Sequence, residues 1–284
     1  METVARAGYE AGLKEYVDRE RAAVDLTNSV GQLMYGKGVE LVFFRNHLLD
    51  ISISEVVKLF NYAGQVVNKP IDVETTAAVA RGLLELDLAP SKIDIGKLTH
   101  EYIGSGNKSI GDFLKTHLKD FIGEDKHKFK PQDVVLYGFG RIGRIAAREL
   151  VKQAGKGQQL RLRAIVTRTL TDAEIVKRAA LLRNDSVHGS FKGTVTEDVP
   201  NKQIIINGQQ VQLIAASNPE DIDYTQYGIN NALVIDNTGA FTKRADLERH
   251  LKSKGVAKVL LTAPGKEVPN IVYGINHKDL DIEN

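Results

Sequence analysis

The 284-residue chain contains no cysteine. That absence excludes disulfides and thiolate metal sites, and any cysteine nucleophile carried by these residues. An excess of one charge is also missing: 38 Lys and Arg stand against 36 Asp and Glu, a formal net charge of +2. Such a balance gives no electrostatic purchase on nucleic acid or a membrane surface. No basic stripe interleaved with aromatics is visible either, so no nucleic-acid partner is expected. No stretch approaches the ~18 apolar residues of a membrane helix. Met1-Glu2-Thr3-Val4-Ala5-Arg6 opens with an acid and leads into no apolar run, which predicts no signal peptide. Internal repeats and low-complexity tracts are lacking. The expectation is a cytoplasmic protein with no membrane partner and no bound metal.

The residues present follow two grammars. In the first ~125 the apolar spacing is helical. Ile110, Phe113, Leu114, Leu118, Phe121 and Ile122 fall at i, i+3, i+4 spacing, with Ser109 placed as a cap. Ser52 and Glu55 form an S-x-x-E capping box ahead of Val56, Val57, Leu59 and Phe60. A third helix is predicted from about Glu74 to Leu88, ended by Pro90. The expectation is an all-helical region over 1–125. Gly123 to Pro131 is charged and has no apolar period, and the linker is placed at 126–131. From 132 to 284 short apolar runs alternate with helical segments. Val134 to Tyr137, Leu160 to Val166, Ala232 to Ile235 and Val259 to Leu261 read as buried strands. Arg144 to Ala154, Ala173 to Leu182 and Thr242 to Lys254 read as helices between them. This alternation predicts an α/β fold, a Rossmann-type, mostly parallel sheet covered on both faces. Asn207-Gly208 between Gln203–Ile206 and Val211–Ile214 signals a hairpin.

Gly138-Phe139-Gly140-Arg141-Ile142-Gly143 is the most informative element. It directly follows a predicted strand and opens a helix, the context that a dinucleotide fingerprint requires. Gly138 permits a sharp turn, Gly140 lets the backbone approach a pyrophosphate, and Gly143 lets the helix pack closely on the strand. The amides of Arg141 and Ile142 then face an anion at a helix N-terminus. The second strand ends in Thr167 and Arg168, without the acid that often holds a ribose diol. Arg168 is instead placed to face a 2′-phosphate, so NAD and NADP both stand as cofactors.

From Asp133 onward the sequence resembles glyceraldehyde-3-phosphate dehydrogenases. Tyr137-Gly-Phe-Gly-Arg-Ile-Gly-Arg144 matches that family's opening block, with Tyr137 where Asn is usual. Asn184-Asp185-Ser186-Val187-His188-Gly189, Phe191 to Val195, Ile206-Asn207-Gly208, Asp236 to Thr242, Leu261 to Pro264 and Gly274 to His277 match later blocks in order. The helical region resembles the N-terminal extension of the longer bacterial members. The resemblance implies that Arg141 and Ile142 hold the pyrophosphate, and that Asn237, Thr238 and Gly239 lie beside the nicotinamide ribose. Thr167 stands where a ribose-binding Asp is usual, and Ser217 where many members carry an adenine-side Arg. With Gly138, Phe139, Gly140, Gly143 and Arg168 these residues make up the expected cofactor site.

The family's reaction uses a thiolate, which adds to an aldehyde before hydride leaves and phosphate releases the thioester as 1,3-bisphosphoglycerate. Its cysteine lies in an A-S-C-T-T-N block after the Gly-x-Asn-His segment. The 284 residues end before such a block, so the catalytic nucleophile and base are expected beyond Asn284. The fragment alone is expected to be inactive. Glyceraldehyde 3-phosphate, phosphate and homo-oligomer formation are implied only for a full-length protein. His188 and His277 are the remaining candidates for a reactive group, and neither is expected to have the paired base and orienting group of a nucleophile. Apolar surface is expected to be exposed near the C-terminus. The alternatives are a stand-alone dinucleotide-binding protein and an interaction module.

Overall fold

The computed structural model describes residues 2–65, 68–123, 130–152 and 159–280. The chain divides into two compact units, one within Met1–Phe129 and one over Lys130–Lys152 and Gln159–Asn284. The expected linker at 126–131 lies largely outside the described residues.

The first unit begins with α1 (Glu2–Gln32), which runs into a π-helical turn at Leu33–Lys37. Gly38, at φ 71°, closes this turn by donating its amide to Met34 O at 3.0 Å. Then come β1 (Val39–Phe43), β2 (Asn46–His47), α2 (Ile53–Gln65), α3 (Val73–Leu84), β3 (Ser91–Asp94), α4 (Ile95–Ser105) and α5 (Ile110–His117). The expected caps form. Ser52 N donates to Glu55 Oε2 at 2.7 Å and Glu55 N donates to Ser52 Oγ at 3.2 Å, while Ser109 Oγ accepts Asp112 N. The region is helical but not all-helical. β1 lies between β2 and β3, antiparallel to the first and parallel to the second. Val39 to Phe43, apolar except for Glu40, is too short for a helix, and four of its five residues are buried. α3 also ends earlier than expected, at Leu84, because Glu85 N and Leu86 N turn back to Gly82 O and Leu83 O. Leu26, Leu33, Phe43, Leu83 and Leu114 form the centre of this unit's core.

The second unit contains β4 (Gln132–Tyr137), α6 (Arg141–Leu150), β5 (Leu160–Thr167), α7 (Asp172–Arg183), β6 (Asn184–Asp185), β7 (Gly189–Ser190), β8 (Val195–Asp198), β9 (Gln203–Ile206), β10 (Gln209–Ala215), β11 (Ala232–Asp236), α8 (Arg244–Leu251) and β12 (Val256–Leu261). One seven-stranded sheet runs β12-β11-β4-β5-β10-β9-β8. β12 through β10 are parallel to one another, and β9 and β8 complete an antiparallel edge. This is the Rossmann-type sheet expected, and the hairpin turns at Asn207 (φ 49°) and Gly208 (φ 77°). The sheet is covered on both faces. Along β4, Val134 and Leu136 join one core while Val135 and Tyr137 join the other. Fully burying such a side chain contributes ~1.5–3 kcal/mol, which explains the unbroken apolar run of a central strand. β12 forms the open edge next to β11, and Leu260, Ile271, Val272, Tyr273, Ile275 and Leu280 are exposed, Tyr273 to 89%.

The chain leaves β4 through α6 toward β5 and β10, and then returns to β11 on the other side of β4. The strand order reverses at β4. In open α/β sheets the crevice outside the carboxyl ends of the strands at such a point is where ligands sit.

Candidate functional site

That crevice is built by the turns that follow β4, β5 and β11. After β4, Gly138 adopts φ 94°, a region that disfavours any side chain. Its amide donates to Val166 O at 2.9 Å, extending the β4–β5 ladder past the strand end. A Cβ on Gly138 would lie 2.8 Å from Thr238 Cγ2, so the turn is wedged against the segment after β11. Gly140 has an ordinary negative φ of −74° and caps α6 with no side-chain hydrogen bond. Nothing lies within 4 Å of where its Cβ would be. Gly140 is therefore not required by backbone conformation; it leaves open ground in front of the first turn of α6. That turn contains no acid, and Arg141 and Ile142 are exposed. The three features together fit a diphosphate: room for close approach, amides without a side-chain cap, and the positive end of a helix dipole.

Two expectations about this loop change. α6 starts at Arg141 rather than Arg144. The close approach that Gly143 permits is to the loop itself, since its Cβ would fall 2.4 Å from Gly138 O. Phe139 is buried in the core beneath α6, so its side chain anchors the loop, leaving only its backbone on the ligand side.

At the end of β5, Thr167 is buried and its hydroxyl donates to Thr169 O at 2.9 Å. Ala216 N in turn donates to Thr167 O at 2.9 Å. Arg168 is exposed, and no carboxylate pairs with it among the described residues. Ser217 is exposed after β10. Next to it, Arg249 from α8 holds Asn218 Oδ1 at 3.1 Å and Glu220 through two nitrogens, with its guanidinium 5.4 Å from the Phe241 ring centre.

After β11, Asn237 N donates to Tyr137 O at 2.8 Å, which ties this turn to β4. Thr238 donates both its amide (2.8 Å) and its hydroxyl (2.7 Å) to Asp236 Oδ1. Gly239 follows at φ 67°. The structure thus brings Gly138 to Gly143 directly against Asn237 and Thr238, while the Gly138 amide on Val166 O ties the same rim to the end of β5, just before Thr167 and Arg168.

Beneath this rim lies a pair that spacing alone does not reveal. His250 Nε2 is 3.0 Å from Asp236 Oδ2, and both side chains are 0% exposed. The Tyr137 ring and the imidazole pack edge to face, with ring centres 4.7 Å apart. Burial, and then the charge of Asp236, push the Tyr137 phenol up to about 12.

His188 also departs from expectation, since it has an orienting carboxylate: its Nδ1 is 3.1 Å from Asp185 Oδ1. The same oxygen accepts Val187 N and His188 N, while Asp185 Oδ2 accepts Arg144 Nη2 at 2.9 Å. The His188 amide, then the Val187 amide and Arg144, hold this carboxyl well below the usual carboxylate range. The cluster fastens the α7–β7 turn to α6. His277 Nδ1 accepts Gly274 N at 2.9 Å within its own turn. Among the described residues, no group of three or more His, Asp or Glu is placed to hold a metal ion, and no helix is long and apolar enough to cross a membrane.

Residues 132–244 match the family model described as glyceraldehyde 3-phosphate dehydrogenase, NAD binding domain. Over 260 residues the chain is 42% identical to a glyceraldehyde-3-phosphate dehydrogenase-like protein of Pseudomonas aeruginosa (strain UCBPP-PA14), a match covering 90% of this chain and 56% of that protein. It is 35% identical over 149 residues to the glyceraldehyde-3-phosphate dehydrogenase of Clostridium pasteurianum, and 38% identical over 149 residues to that of Lactococcus lactis subsp. lactis (strain IL1403). Each of these two matches covers 52% of this chain and 41% of the relative. The chain therefore spans between two fifths and three fifths of the length of these curated relatives.

Proposed function

We propose that this chain, which matches the NAD binding domain of glyceraldehyde 3-phosphate dehydrogenase at residues 132–244 and is 42% identical to a glyceraldehyde-3-phosphate dehydrogenase-like protein over 90% of its length, is the dinucleotide-binding portion of a phosphorylating dehydrogenase of that family. On this reading residues 1–125 are a helical extension, 126–131 a linker and 132–284 the NAD(P)-binding domain. The observation that carries it is the open ground before Gly140 at an α6 N-terminus without a side-chain cap, set where the strand order reverses. The amides of Arg141 and Ile142 hold the pyrophosphate. Asn237, Thr238 and Gly239 border the ribose of the nicotinamide half, and Thr167 and Arg168 border the other ribose. With no carboxylate at the end of β5, a 2′-phosphate meets Arg168 instead of a like charge, which favours or permits NADP. When bound, the nicotinamide accepts the hydride. The chain's own residues bind and orient it.

The 284 residues contain no thiol, so a thiohemiacetal cannot form on them and they have no turnover by themselves. Glyceraldehyde 3-phosphate, inorganic phosphate and homo-oligomeric assembly are partners of a full-length protein in this proposal. The test is calorimetric titration of the purified chain with NAD+ and NADP+, alongside an assay with glyceraldehyde 3-phosphate, phosphate and each dinucleotide. Binding without turnover is expected. Turnover above blank overturns the inactivity, and failure to bind either dinucleotide overturns the whole reading in favour of an interaction module. A coding sequence that runs past Asn284 into an Ala-Ser-Cys-Thr-Thr-Asn block supports the proposal, whereas a stop codon there favours a stand-alone binding protein.

A further inference from the structure

Asp236 ends β11, and His250 lies fourteen residues on, within α8. The imidazole Nε2 lies 3.0 Å from Asp236 Oδ2. The other ring nitrogen, Nδ1, is buried with no hydrogen-bond partner among the described residues. His250 thus makes a single polar contact, and that contact is with Asp236. The other carboxylate oxygen accepts the Thr238 amide and hydroxyl. Thr238 is therefore fixed in orientation, its methyl against Gly138, where a Cβ would come within 2.8 Å.

A buried imidazole and carboxylate add little net stability, because the desolvation they suffer offsets their attraction. They do fix geometry. The line His250, Asp236, Thr238, Gly138 runs from a helix on one face of the sheet to the turn that opens the diphosphate loop. It reaches the crevice on the β11 side of β4. The β5 side takes the first mononucleotide half, so β11 lies under the second.

We propose that Asp236 and His250 are positioning residues which hold Thr238 in place and thereby set affinity for the nicotinamide half of the ligand, not for the adenine half. The inference rests on the dinucleotide reading above. It is tested on the 284-residue chain by titration with NAD+ and with AMP, which stops at the first phosphate. His250→Leu and Thr238→Val each weaken NAD+ binding about tenfold, the scale of one lost hydrogen bond to a charged group, and leave AMP binding unchanged. His250→Gln, which keeps a donor near the position of Nε2, restores NAD+ binding. If His250→Leu does not fold, Thr238→Val decides the matter, because at nearly constant size it removes the hydroxyl that donates to Asp236 Oδ1 and accepts Ala240 N. Unaltered NAD+ affinity in the folded variants overturns the positioning role, and so does an equal loss of AMP, which marks general damage. A wild-type chain that binds neither ligand overturns the dinucleotide reading beneath it.

Discussion

Gly140→Ala and Gly143→Ala each add one methyl to the same loop, and the structure assigns them different outcomes. At 143 the new Cβ falls 2.4 Å from Gly138 O and 3.3 Å from Gly138 C, whereas ordinary contact begins at 3.4 Å. The obstacle is backbone, so the loop or α6 must move by about 1 Å, a strain in the range of overpacked sites, ~1–3 kcal/mol. Alanine recovers ~1 kcal/mol of helix propensity over glycine. The net is a destabilisation of roughly 0–2 kcal/mol, taken up in a displaced Gly138 turn. At 140 nothing lies within 4 Å, and φ is one that alanine adopts freely. A small N-cap penalty is offset by ~0.4–1 kcal/mol from a less flexible unfolded chain, so stability stays close to wild type. The methyl, however, occupies the ground through which a diphosphate approaches, and each ~1.4 kcal/mol of lost contact is tenfold in affinity. Thermal unfolding followed by circular dichroism, with calorimetric titration of NAD+, separates the two. Gly140→Ala keeps its melting temperature and loses at least about tenfold in affinity, while Gly143→Ala loses both stability and affinity. Wild-type affinity in Gly140→Ala, or a Gly143→Ala protein as stable and as tight-binding as wild type, refutes the reasoning.

Asp185 has its carboxyl pKa depressed in the fold, so its contribution is complete above the unfolded value of ~3.9 and is lost as pH falls through the folded value. Asp185→Asn is therefore less stable than wild type at neutral pH, and melting curves from pH 7 downward show the gap narrowing only below about 4; a gap that closes near neutrality contradicts the assignment. Arg168→Ala weakens NADP+ by about tenfold, as expected for one charge-assisted contact, and leaves NAD+ unchanged. Equal losses in the two titrations remove Arg168 from the 2′-phosphate.

Features carried by contiguous residues were legible in the sequence. The glycine loop after an apolar run, the Asn207-Gly208 turn and the Ser52–Glu55 box each depend on neighbours within about six positions; the turn and the box take the expected form, and the loop follows β4 as expected although α6 starts three residues sooner. Contacts between distant segments were not legible. β1 pairs in parallel with β3 across some fifty residues, and Val39 to Phe43, apolar except for Glu40, is too short to display a period. Asp236 reads as the end of a strand and His250 as one helix residue among charged neighbours; only the packing of α8 on the sheet brings them to 3.0 Å. The role of Gly143 was misplaced for the same reason, since the oxygen it must avoid is five residues back around a turn whose path depends on Thr238.

The amides of Gly138, Ala216 and Asn237 each donate to the last or next-to-last carbonyl of a neighbouring strand. The rim of the crevice is thus an extension of the sheet, and its shape exists before any ligand arrives. Little ordering entropy has to be overcome on association, so more of the contact energy appears as affinity. Encounter resembles a key meeting a finished lock, since the rim is already held by its strand-end hydrogen bonds.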